Sequence, residues 1–99
     1  MLSEKVKQEI IKMDSNERYW LIDNLIKGIE MYKTLIEDCK EYIDELTTEL
    51  KTADKFSITS LKEIIEYERN ELSQFKKSLE MRKEMLKLAK EIQGDNKTA

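Results

Sequence analysis

The chain has 99 residues, room for one small domain. It has no proline and only two glycines, and charged and hydrophobic residues each make up 39%. That balance excludes a turn-rich β-sandwich and points to long helices. A formal net charge of −3 sets the chain against bulk affinity for nucleic acid.

The first predicted helix covers about residues 3–13. Leu2, Val6, Ile10 and Met13 recur at helical spacing on one face, and Ser3 is placed to cap it. Asp14 with Glu17 three residues later forms an acidic capping box, which predicts a break there and a fresh helix from about 15 to 52. A single helix continuing through Asp14 with a phase slip is the alternative.

The second helix would be about 57 Å long at ~1.5 Å per residue, a coiled-coil length. Its apolar seam reads Ile22, Leu25, Ile29, Tyr32, Ile36, Cys39, Ile43, Leu46, Leu50, with spacings alternating between three and four. Residues 53–56 read as the turn. Ser57 then reads as the next cap, with Phe56 stapled onto Leu61, and Ser60 with Glu63 as a second capping box. The third helix is expected over 57–93. Gly94 would stop it, and 94–99 would form a disordered tail.

The third seam is Leu61, Ile65, Glu68, Leu72, Phe75, Leu79, Arg82, Leu86, Ala89. Paired antiparallel, Leu50 meets Leu61, Leu46 meets Ile65, Cys39 meets Leu72, Ile36 meets Phe75, and Ile22 meets Ala89. Paired residue numbers share one constant sum, so a position always faces d position. The fold class expected is therefore all-α: a long antiparallel coiled-coil hairpin with a short N-terminal helix, completed by dimerisation. Two layers are imperfect, because Glu68 faces Ile43 and Arg82 faces Ile29. Their long side chains are expected to snorkel to the edge, with Arg82 able to reach the face of Tyr32.

The two flanks of such a hairpin differ. The e flank collects Lys62, Arg69, Lys76, Lys83 and Lys90 from the third helix and Lys33 and Lys40 from the second. Glu30, Glu37, Glu66 and Glu80 stand three residues before Lys33, Lys40, Arg69 and Lys83, where each pair neutralises a charge. The g flank carries Leu21, Gly28, Leu35, Tyr42, Ile64, Met85 and Ile92, with Met31, Tyr67, Met81 and Leu88 beside it. One short helix covers only part of so apolar a flank, best at the open end around Leu21, Met85, Leu88 and Ile92. Gly28 suggests the close approach of another helix.

Catalytic signals are missing. The chain has no histidine, and its two glycines lie too far apart for a phosphate loop. Cys39 sits in the seam as a small hydrophobe, and a single cysteine fits a reducing compartment. No apolar run approaches a membrane span, and MLSEKVKQEI lacks a signal-peptide core.

The sequence thus reads as a non-enzymatic, cytoplasmic protein–protein interaction module without cofactor, metal or small-molecule substrate: an adaptor, assembly factor or inhibitor. The expected partner is another protein, a second copy, or both. The expected contact residues are Tyr19, Trp20, Met31, Leu35, Tyr42, Tyr67 and Met81. The competing reading is nucleic-acid association through Lys62, Arg69, Lys76, Lys83 and Lys90. The excess of lysine over arginine suggests a low-GC bacterial or phage regulatory protein.

Overall fold

The computed structural model describes the backbone of residues 2–98 and the side chains of residues 2–94. It contains three helices: α1 (Glu4–Lys12), α2 (Ser15–Thr52) and α3 (Lys55–Thr98). α2 and α3 form a long antiparallel hairpin, and α1 packs mainly on α3 at the open end. The molecule measures 66 × 22 × 14 Å, the proportions of a rod.

α1 starts where Ser3 accepts a hydrogen bond from the Val6 N–H. It buries Ile10, and Leu2 just ahead of the helix is buried too. The break before α2 is made by the capping box. Glu17 N–H donates to Asp14 Oδ1 at 2.8 Å, and Asp14 N–H donates to Glu17 Oε1 at 3.3 Å. Two otherwise orphaned N–H groups are satisfied, so the expected break forms in place of one continuous helix.

The expected register holds. Ile29, Ile36 and Leu79 form the centre of the core, with Tyr32, Leu72, Phe75 and Leu86 packed on it. Leu25, Cys39, Leu46, Ile65 and Ala89 are also buried. The Tyr32 and Phe75 rings meet at a centroid distance of 6.2 Å, inclined by 59°.

The hairpin turn is tighter than expected. Asp54, not Ser57, caps α3: Asp54 Oδ1 accepts from the Ser57 N–H at 2.9 Å, and Asp54 O accepts from the Ile58 N–H at 3.1 Å. α3 therefore begins at Lys55, and the connection shrinks to Ala53 and Asp54. Phe56 falls in the first turn of the helix, outside the seam, and is 93% exposed, so it staples nothing. Ser60 and Glu63 lie inside α3 and cap no helix start. At the other end the bounds of α3 pass through Gly94, which lacks the positive φ by which a glycine ends a helix. Of the tail expected over 94–99, the side chains beyond Gly94 and all of Ala99 lie outside the described residues.

Both polar residues of the seam find partners within it instead of simply reaching for solvent. Cys39 Sγ donates to Glu68 O at 3.3 Å and lies 3.6 Å from Glu68 Oε2. The Arg82 guanidinium carbon stands 4.5 Å from the Tyr32 ring centroid, and its Nη1 donates to Ser78 O.

Candidate interaction surface

A helical hairpin buries its a and d positions, so any outward function falls to the e and g flanks and to the ends. The g flank remains open along its middle. Met31 is 53% exposed, Tyr42 43%, Ile64 39%, Tyr67 61% and Met81 42%. Leu35 lies half-buried among them. Heptad spacing brings these side chains to one side of the rod, from Met31 and Met81 toward the open end to Ile64 near the turn. At the open end, Leu21, Met85, Leu88 and Ile92 are each half-buried. Leu2, ahead of α1, and Lys7 within it share a shallow depression there with Glu84, Lys87, Leu88 and Glu91. α1 thus covers the end of the flank that the sequence reserved for it.

Among the described residues no other helix brings its backbone close to Gly28. A Cβ at this position would lie 3.5 Å from Arg82 Nε and 3.6 Å from Arg82 Cδ, ordinary van der Waals distances to a flexible side chain.

Tyr19 and Trp20 are 63% and 64% exposed and stand edge-to-face, 5.9 Å between ring centroids. They do not join the Met31–Ile64 patch. Tyr19 is at an e position, where it lines a depression of about 300 Å³ with Ile22, Lys90, Gln93 and Gly94. Trp20 sits one residue further round, on the outer face. The seven contact residues expected from sequence therefore separate into two sites, an aromatic pair at the open end and a longer patch on the g flank.

The e flank is cationic but partly neutralised. Lys33, Lys40, Lys76 and Lys83 line one groove with Ile36, Glu37 and Leu79. Lys33 pairs with Glu30 at 3.3 Å, Lys40 with Glu37 at 3.8 Å and Lys83 with Glu80 at 3.5 Å. Lys62 and Arg69 line a second groove with Glu66 and Thr47. Arg69 and Glu66 share it without an ion pair among the described residues. Lys90 lies apart, in the Tyr19 depression.

One polar cluster was missed in the sequence. Arg18 is 5% exposed, the buried charge among the described residues. Its Nε donates to Gln93 Oε1 at 3.1 Å, and its Nη1 donates to the carbonyls of Ile11 and Met13. Gln93 Nε2 in turn donates to Ser15 O at 3.0 Å and lies 2.9 Å from Ser15 Oγ. The signal was present: Arg18 and Gln93 occupy the next layer of the same register, beyond Ile22 and Ala89.

Chemical candidates are few. Burial pushes the Cys39 thiol above its ordinary pKa, and its contact with Glu68 adds to the effect, which keeps it protonated and unreactive. The Tyr67 phenol is raised chiefly by the negative charge of Glu71. Among the described residues no His/Cys/Asp/Glu group is arranged to hold a metal ion. Among them no helix is long and apolar enough to cross a membrane. No protein-family model, characterised protein or solved structure matches the chain.

Proposed function

We propose that this protein is a non-enzymatic interaction module that binds another protein through the g flank of its hairpin, in the manner of an adaptor, assembly factor or inhibitor. The supporting observation is the run of exposed Met31, Tyr42, Tyr67, Met81 and Ile64 along one side of the hairpin. Large apolar side chains gathered on one side of a small domain favour association, and methionine and tyrosine are suited to it. The buried, reduced Cys39 suits work in the cytoplasm.

Site-directed photocrosslinking tests the reading. A benzophenone amino acid at Met81 or Tyr67 should give protein adducts in cells, while the same group at Lys76 on the opposite flank should give none. Adducts from Lys76 alone would sink it.

A second reading, nucleic-acid binding along the e flank, has one observation in its favour: four lysines line a single groove. Three of them are already paired with glutamate, and the groove lacks the aromatic platforms that hold single strands. Ultraviolet crosslinking of nucleic acid to the e flank would decide for it.

A further inference from the structure

The two flanks also differ in charge. The exposed middle of the g flank, taken over the c and g positions of α2 and α3, carries Asp38, Glu45, Glu49 and Glu71 and no lysine or arginine. The cations of the hairpin's sides stand instead at the e positions. The apolar patch therefore lies in a mainly acidic surround, with Lys77 near Met81. A second copy laid face to face on this patch would bring the same carboxylates together, which destabilises association.

The chain shows what such a surface accepts. α1 is a short amphipathic helix lying along α3, with Leu2 buried just ahead of it and its Lys7 in a depression shared with Glu84, Lys87 and Glu91. Beyond α1 the uncovered stretch from Met81 to Ile64 corresponds to about 26 Å at ~1.5 Å per residue. That is room for a further helix of about five turns.

We infer that the vacant g flank is a docking groove for a lysine- or arginine-rich amphipathic helix of another protein, laid end to end with α1. This rests on the proposed interaction role and names the partner's chemistry. The partner's apolar stripe covers Met31, Leu35, Tyr42, Tyr67 and Met81, while its cations meet Asp38, Glu45 and Glu71.

The test uses the full chain and two synthetic 18-residue peptides. One is a leucine/lysine amphipathic helix, and the other has every lysine replaced by glutamate. Binding is followed by fluorescence anisotropy and by the methyl NMR signals of the methionines. The lysine peptide should bind at least tenfold more tightly and shift Met31 and Met81. The triple variant D38K/E45K/E71K should weaken it at least tenfold and favour the glutamate peptide. The variant K33E/K40E/K76E should not weaken it.

Equal binding of the two peptides, or no binding of either, would overturn the inference. So would methyl shifts confined to methionines away from the patch. Concentration-dependent dimerisation that shifts Met31 and Met81 without peptide would show a second copy as the occupant; the inference would fail and the flank's interaction role would stand. Peptide binding abolished by K33E/K40E/K76E alone would remove both.

Discussion

Arg18 and Gln93, 75 residues apart in sequence, meet through an Nε–H···Oε1 hydrogen bond of 3.1 Å at the open end of the hairpin. The same guanidinium holds the Ile11 and Met13 carbonyls, where α1 ends, and the same glutamine holds Ser15, where α2 begins. This pair, with Arg18 buried and Gln93 half-buried, thereby ties all three helices together. Without it, a nine-residue α1 is too short to persist by itself.

Replacing Arg18 by Ala should cost about 1.5–3 kcal/mol, because charge-assisted bonds are lost and carbonyl groups are left inside without donors. Urea unfolding measures the loss. Arg18→Lys should recover little, since an ammonium cannot span the Gln93 amide and the α1 carbonyls with one rigid fork. Hydrogen exchange in α1 should accelerate in both variants more than exchange around Ile36. Uniform acceleration along the rod would refute the latch.

The caps should make the fold acid-sensitive. The Asp14 and Asp54 carboxyls are held below the usual carboxylate range, chiefly by the backbone N–H groups of Glu17 and Ser57. A lowered folded pKa means that the unfolded chain binds the proton first. The stability is fully present above the ordinary Asp pKa of about 3.9 and fades as pH falls through the lowered folded values. Melting temperature should therefore drop with acidification in that window. Asp14→Asn with Asp54→Asn should flatten the dependence while retaining most of the capping; an unchanged pH profile would contradict the assignment.

Gly28→Ala should stabilise the protein. The position is helical, a Cβ there meets the Arg82 side chain at ordinary contact distance, and alanine is favoured over glycine by about 1 kcal/mol in a helix interior. Thermal unfolding should show a higher midpoint. A lower one would mean that a helix from another molecule approaches Gly28 closely, as the sequence alone suggested.

Cys39 should resist alkylation in the folded state, reacting more than tenfold more slowly than in denaturant, because only a buried thiol held protonated is available. Its raised folded pKa makes the folded state the tighter proton binder. The stability it contributes is complete below the unfolded thiol pKa of about 8.5 and is lost as pH rises through the folded value. Cys39→Ala should remove that alkaline decline; its persistence would assign the decline to other groups.

Much of this architecture is local information. Alternating three- and four-residue spacing determined which face of α2 and α3 would be buried. Antiparallel pairing followed from the short connection, and from pairing followed the identities of the two flanks, including exposed Tyr42, Tyr67 and Met81. The break at Asp14 was equally legible, because a capping box closes within four residues. The start of α3 was not, since Asp54 and Ser57 are both competent caps. Tertiary pairing of the helices chose the tighter turn.

What only the tertiary structure decided lies where polar side chains enter the seam. An arginine at a d position has no apolar signature, so Arg18 was passed over until Gln93 was brought opposite it. Arg82 could have reached outward, but the Tyr32 ring across the interface offered its face. Tyr19 likewise meets Lys90, Gln93 and Gly94 of α3 only once the hairpin has closed. Apolar periodicity specifies a burial face by itself; the partner of a buried donor depends on residues distant in sequence, and folding alone brings them together.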